Sequence, residues 1–172
     1  MNEVTLKWAA PEHAGEITGI YTPIVRDTAI SFEIDIPSVE EMSKRVSNIG
    51  SQNPYIVAMV NDKVVGYAYS VEFRTRKAYR FTKEATVYVH EDYRKQGIAS
   101  ILYTKLFEIL KAQGVVKIMA VITIPNDKSV HFHEKLGFDL SGVITQSGYK
   151  FNCFWDVCFY ERTLKENLIS AP

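Results

Sequence analysis

Residues 87–106 read VYVHEDYRKQGIASILYTKL. A β-rich run, EATVYVH at 84–90, gives way to a short basic segment with one glycine, and an apolar-periodic stretch begins at once. Ile98, Ile101, Leu102, Leu106, Ile109 and Leu110 recur at helical spacing, which predicts a helix over 98–112. Gly114 stands where a C-terminal cap belongs. The next run, VVKIMAVITI at 115–124, is nearly all apolar, as expected of a strand buried on both faces. Strand, helix and strand in this order predict a right-handed crossover that joins parallel strands.

Antiparallel elements flank this unit. YIVAMV (55–60), the turn NDK (61–63) and VVGYAYSVEF (64–73) read as a hairpin. Ser38 with Glu41 three residues later predicts a capping box for a helix whose Met42, Val46 and Ile49 share a face. Near the N-terminus a strand over 4–8 leads to a helix opened by Pro11, which Pro23 is expected to kink or end. Toward the C-terminus, NDKSVHFHEKLG (126–137) predicts a shorter helix stopped by Gly137, followed by strands near 138–145 and 152–163. The fold class expected is α/β with a mixed (α+β) sheet and hairpins at both ends, not a doubly wound parallel sheet.

The chain has 172 residues, enough for one domain with a full core, and no internal repeat. Its 20 basic and 20 acidic side chains cancel, whereas a large nucleic-acid footprint shows a basic excess, so polynucleotide is not an expected partner. No apolar run approaches the roughly 20 residues that span a bilayer, and MNEVTLKWAAPEHAGE lacks a signal-peptide core. No membrane association is expected, and the expected location is cytoplasmic. Cys153 and Cys158 are an odd number of residues apart, so on one strand they face opposite sides. They form no CxxC pattern and no zinc spacing with His13, His90, His131 or His133, so no metal is expected and both read as packing residues.

The segment RKQGIAS (94–100) joins a strand to a helix N-terminus. The first N–H groups of a helix lack internal partners and sit at the positive end of its dipole, so such an end attracts phosphate. Gly97 lets an oxygen approach the backbone, Arg94 and Lys95 add positive charge, and Ser100 offers a hydroxyl. The segment matches neither GxxxxGK[ST] nor GxGxxG. What it shows is R-x-x-G-x-A, which taken alone also fits an ordinary strand-to-helix turn.

AYRFTKEATVYVHEDYRKQGIASILYTKL (78–106) and VITIPNDKSVHFHEKLGF (121–138) widen the match. With them the chain resembles the GNAT superfamily of acyl-CoA-dependent N-acetyltransferases, and within it the phosphinothricin and methionine sulfoximine N-acetyltransferase group. The resemblance runs from EITGIYTPIV to FWDVCFYERTL. It implies a single domain over 1–172 with a central twisted mixed sheet flanked by helices, and acetyl-CoA as co-substrate. It also implies that backbone amides of Lys95, Gln96, Gly97, Ile98, Ala99 and Ser100 hold the cofactor pyrophosphate, and that Val87, Tyr88 and Val89 bond its pantetheine arm. Asn126 is implied to touch the cofactor; read from the residues alone, it caps a helix.

Acetyl transfer needs a neutral amine, a group to take its proton, and a donor for the carbonyl oxygen. A strand N–H over 84–90 can serve as that donor, and no enzyme nucleophile is required. The resemblance makes Glu84 the candidate base, directly or through water; by itself it is a carboxylate at a strand start. His133 matches a family histidine and is the second candidate, or else a helix histidine packed on the sheet. His131, two residues away, faces elsewhere. EFRTRKAYRF (72–81) is a basic loop, and guanidinium groups recognise carboxylate and phosphinate. The resemblance places substrate contacts at Arg74, Thr75, Arg76, Ala85 and Thr86, with Phe32 as a pocket wall; Phe32 reads equally as core.

The chain departs from the family at GYKFNCFWD (148–156). A G-x-K-x-G-x-W-x-D pattern would put glycine where Asn152 stands and tryptophan where Phe154 stands, with Trp155 one place late. The reaction expected is transfer of acetyl to the primary amine of a small amino acid or analogue. A homodimer is implied, with CFWDVCFY (153–160) as a possible interface. Acetylation of a protein terminus or lysine, and a non-catalytic acyl-CoA sensor, are the rival readings.

Overall fold

The structure is a computed structural model that describes residues 3–165. In chain order the elements are β1 (Thr5–Trp8), α1 (Ala14–Asp27), α2 (Val39–Gly50), β2 (Tyr55–Val60), β3 (Lys63–Glu72), β4 (Thr82–Val89), α3 (Ile98–Ala112), β5 (Lys117–Ile124), α4 (Asp127–Lys135), β6 (Asp139–Lys150) and β7 (Cys153–Thr163). The strands form a seven-stranded mixed sheet in the order β1-β2-β3-β4-β5-β7-β6. β4 and β5 pair in parallel, while β1/β2, β2/β3, β5/β7 and β6/β7 are antiparallel. The predicted mixed sheet with a parallel pair and a hairpin on each side is therefore present.

The chain divides into two compact units. Among the described residues, the first comprises 3–70 and 86–106. Its core joins Ile17, Ile20, Tyr21, Ile24 and Val25 of α1 to Met42 and Val46 of α2 and to Tyr55, Val57, Val64 and Tyr67 of the β2–β3 hairpin. The hairpin turns through Asn61 and Asp62 at φ 49° and 60°, the paired left-handed geometry that suits strand twist. Gly66 on β3 is there for space. A Cβ would meet the Tyr88 carbonyl oxygen at 3.1 Å, Leu102 Cδ1 at 3.2 Å and Ile98 Cγ2 at 3.3 Å.

Two expectations for this unit are corrected. Pro23 does not end α1, which runs on through it to Asp27. Ile24 and Val25 beyond it are 5% and 1% exposed. Their burial contributes roughly 1.5–3 kcal/mol each, enough to offset the roughly 3 kcal/mol cost of an interior proline. The capping box at α2 is half made. Ser38 Oγ accepts from the Glu41 N–H at 3.1 Å, but the Glu41 carboxylate is held by Arg45 one turn on.

Among the described residues, the second unit comprises 71–85 and 107–165. Its interior includes Phe107, Leu110, Ile118, Ala120, Ile122, Phe138, Val157 and Tyr160. β5 is less enclosed than its sequence suggests, because Val121 is 40% exposed while Ala120 and Ile122 are buried. β6 reaches Lys150, well past the expected 145. After a register shift beyond Ile144, the pairs Gly148–Trp155, Tyr149–Phe154 and Lys150–Cys153 extend the hairpin. The bulge lets a polar, glycine-containing segment join the ladder. Cys158 is buried as expected, but Cys153 is exposed. It follows the Phe151–Asn152 turn, so it is not a packing residue.

Candidate active site

β4 and the segment after it carry most of the candidate residues. The β4/β5 ladder comprises Thr82–Lys117, Lys83–Ile118 and Glu84–Met119. β4 continues to Val89, so Val87, Tyr88 and Val89 lie beyond the end of that pairing. β3 still flanks β4 on its other side, so only the edge that has left β5 has backbone groups to offer a ligand. The Tyr88 side chain is not among the available groups. Its ring packs on Tyr21 and Tyr67 at centroid distances of 5.4 and 5.5 Å, and burial raises its pKa well above the ordinary value.

In the first unit, a short 3-10 turn over Glu91–Tyr93 follows β4. Lys95 and Gly97 then adopt φ 62° and 82°. Left-handed residues in a tight turn gather successive N–H groups into an anion-binding concavity. A Cβ at Gly97 would meet nothing within 4 Å, so the space above its backbone is open. The α3 ladder begins with Ile101 N–H donating to Gly97 O at 3.0 Å. The N–H groups of Ile98, Ala99 and Ser100 therefore precede the first helical bond. Ile98 itself is 2% exposed, so only its backbone can meet a ligand. Gln96 Nε2 donates to Asp92 O at 3.1 Å and ties the turn together. These features fit a pyrophosphate cradle. Thr86 is half-buried, and Phe32 is 36% exposed, which excludes a plain core role for it.

In the second unit, Glu84 is half-buried on β4 next to the buried Ala85. Desolvation raises its pKa above the ordinary 4.5, and the Arg74 charge pulls it part of the way back. Arg74 lies over the Phe73 ring at 4.3 Å and donates to the Phe73 carbonyl at 3.0 Å. Thr75 and Arg76 are exposed, and Arg76 precedes the 3-10 turn Lys77–Tyr79.

Asn126 caps α4, its side-chain oxygen accepting from the Ser129 N–H at 3.3 Å. His133 on α4 is 5% exposed. Its Nδ1 donates to the Ser129 carbonyl at 2.8 Å. Its ring meets Phe132 and Phe138 edge-on at 5.3 and 5.1 Å. Burial lowers its pKa below 6.5, which favours the neutral ring. His131 is exposed, as expected from its place on the helix.

Among the described residues no group of three or more histidine, cysteine or carboxylate side chains is placed to hold a metal ion. No helix among them is long and apolar enough to cross a membrane.

A family model described as Acetyltransferase (GNAT) domain matches residues 6–159. The chain belongs to the GNAT acetyltransferase family. It is 32% identical over 159 residues to a phosphinothricin N-acetyltransferase of Streptomyces viridochromogenes, covering 92% of this chain and 87% of the relative. It is 36% identical over 110 residues to an L-methionine sulfoximine/L-methionine sulfone acetyltransferase of Pseudomonas paraeruginosa, covering 64% of this chain and 63% of that one. A GNAT phosphinothricin acetyltransferase of Sinorhizobium meliloti, solved in complex with AcCoA, superposes with a TM-score of 0.91 at 35% identity, covering 98% of this chain and 92% of that one.

The departure from the GNAT pattern at 148–156 has a local explanation. Phe151 and Asn152 form the β6–β7 turn at φ 54° and 56°. Asparagine tolerates the left-handed region better than most residues, so Asn152 can stand where the family has glycine. Trp155 Nε1 donates to the Lys150 carbonyl at 2.9 Å and closes the hairpin, while Phe154 is 61% exposed. Two features leave no mark in the sequence: the early end of the β4/β5 ladder, and the tyrosine cluster behind Tyr88.

Proposed function

We propose that this GNAT enzyme transfers acetyl from acetyl-CoA to the primary amine of a small amino acid or analogue, of the phosphinothricin or methionine sulfoximine type. The observation that carries the reading is one strand with three successive features. β4 has a half-buried carboxylate at Glu84, backbone beyond the β5 ladder at Val87, Tyr88 and Val89, and an open left-handed turn leading into α3. Residues 1–172 act as one GNAT domain in this reading.

Acetyl-CoA supplies an activated thioester. Backbone N–H groups of Lys95, Gln96, Gly97, Ile98, Ala99 and Ser100 hold its pyrophosphate, β4 aligns its pantetheine arm, and Asn126 presents its side-chain amide. The amine nitrogen forms the new C–N bond as the C–S bond breaks. Glu84 takes the amine proton, directly or through one water, and later gives it up to solvent, while the sulfur departs as the thiolate and takes its proton from solvent. A carboxylate whose pKa is raised by burial is a stronger base than an exposed one, which supports this role. Arg74 and Arg76, with Thr75, Ala85 and Thr86, recognise the anionic end of the amino acid, and Phe32 walls its side chain. The neutral, anchored His133 holds α4 and Asn126 in place, and its burial favours Glu84 over it as the base.

We also propose a cytoplasmic homodimer. Both cysteines are free thiols, which suits a reducing compartment. β7 lies between β5 and β6, so the interface belongs on the edge strand β6, where Leu140, Val143 and Ile144 are exposed. A monomer by light scattering at high concentration would refute the dimer.

Glu84→Gln tests the chemistry. It should bind acetyl-CoA normally and release thiol about 10²-fold more slowly or worse, the usual contribution of a general base. Turnover at the wild-type rate would remove Glu84 from its role.

A further inference from the structure

Residues 28–38, between α1 and α2, form neither helix nor strand. Ile30, Phe32, Ile34 and Ile36 all face solvent there, at 36–68% exposure, while Ser31 between them is 9% exposed. Ala29 and Pro37 near its ends are buried, but the apolar side chains between them are turned outward, so no core of its own holds the middle of the segment. Polar contacts on either side of Phe32 hold it instead.

The Glu33 N–H donates to Ser31 Oγ at 3.2 Å. Ser31 Oγ and Tyr21 Oη are 2.6 Å apart, and the Tyr21 hydroxyl donates to Glu33 Oε1 at 3.1 Å. A carboxylate accepts only, so the single Tyr21 proton points at Glu33, and Ser31 donates to Tyr21. The three groups close a ring in which each hydroxyl donates once and accepts once, an arrangement whose members polarise one another. Arg45 Nη1 donates to the same Glu33 oxygen at 2.7 Å and ties the ring to α2. The Tyr21 ring packs on Tyr88 of β4 at 5.4 Å. Phe32 is thus fixed through its two neighbours to the strand proposed to hold the cofactor.

We propose that Tyr21, Ser31, Glu33 and Arg45 are positioning residues for the amine substrate: their hydrogen-bond ring sets where Phe32 stands. The proposal rests on the amino-acid N-acetyltransferase reading, with Phe32 against the amine.

The test is Tyr21→Phe, which keeps the ring packing and removes the hydroxyl, with Ser31→Ala as a second break in the same ring. The readouts are amide deuterium exchange over 28–38 and steady-state kinetics with phosphinothricin and methionine sulfone. Exchange over 28–38 should quicken by about tenfold. The KM for the amine should rise by about tenfold, the worth of one hydrogen bond, with the KM for acetyl-CoA within about twofold. Faster exchange with an unchanged amine KM would reduce the ring to a purely structural role and overturn the proposal. Unchanged exchange in both variants would show that the ring does not hold the segment, and would overturn it equally. If the wild-type protein turns over no amine, the functional reading falls, and the substrate half of this proposal falls with it, whatever the exchange shows.

Discussion

Replacing Gly97 with alanine separates the cost of a turn from the cost of losing a ligand cradle. At φ 82° a side chain is strained by about 1–2 kcal/mol. No atom lies within 4 Å of the added Cβ, so the free protein suffers no clash beyond that strain. In a chain of this size the strain corresponds to a Tm lower by about 2–8 °C. The added methyl group stands in the open space where the pyrophosphate should approach. Acetyl-CoA at 100 times its Kd should stabilise the wild type by about 2.7 kcal/mol, or roughly 5–11 °C. If the methyl group weakens binding about a hundredfold, the same concentration stabilises the variant by only about 0.4 kcal/mol, or roughly 1 °C. Differential scanning fluorimetry with and without acetyl-CoA reads both quantities. A lowered Tm with an undiminished ligand shift would mean that Gly97 serves the turn alone, and the cradle assignment would be wrong.

Gly66→Ala should behave differently. Its Cβ meets a backbone oxygen that cannot rotate away, so the protein loses about 1–3 kcal/mol in urea unfolding; unchanged stability would mean that β3 and α3 are not packed as described. The pH profile of kcat/KM should fall on the acid side with a midpoint above 4.5, because burial raises Glu84, and a limb centred below 4.5 would contradict it. The same shift means that the folded state binds this proton more tightly than the unfolded chain. The stability it lends is therefore present at low pH and is lost as pH rises from 4.5 through the folded value. Glu84→Gln should accordingly raise the Tm at neutral pH while it slows thiol release about 10²-fold or more; a lower Tm would oppose that sign. His133 has the opposite linkage. Its lowered folded pKa gives stability that is present above 6.5 and lost as pH falls through the folded value. His133→Gln should flatten the Tm-versus-pH curve in that window, and an unchanged slope would exclude it as the source.

The helix at about 98–112 was readable because six apolar positions repeat at one spacing and Gly114, at φ 82°, stops it. The hairpin at 55–73 was equally plain, since Asn61 and Asp62 are turn residues between β-rich runs. Pro23 misled because its cost is local, while the burial of Ile24 and Val25 that offsets it is tertiary. β6 was cut short because ITQSGYK carries no strand pattern and pairs only through a bulge. Local sequence pointed to Gly97 and its basic neighbours, and the GNAT resemblance to Glu84. That Glu84 marks the last rung of the β4/β5 ladder depends on the pairing of two strands more than thirty residues apart, which no local pattern records. The Tyr21–Ser31–Glu33 ring was invisible for the same reason: its hydrogen bonds depend on how an irregular segment folds back on α1.

Acetyl transfer to a small amino acid is open to a direct assay, the free thiol released from acetyl-CoA by the purified protein. The amine panel would hold phosphinothricin, methionine sulfoximine, methionine sulfone, the common amino acids and a few peptides. Release is predicted with one or a few of the small amino acids or analogues and none with the peptides. No release with any amino acid or analogue, while acetyl-CoA still raises the Tm, would contradict the substrate assignment and leave a protein substrate or an acyl-CoA sensor in its place.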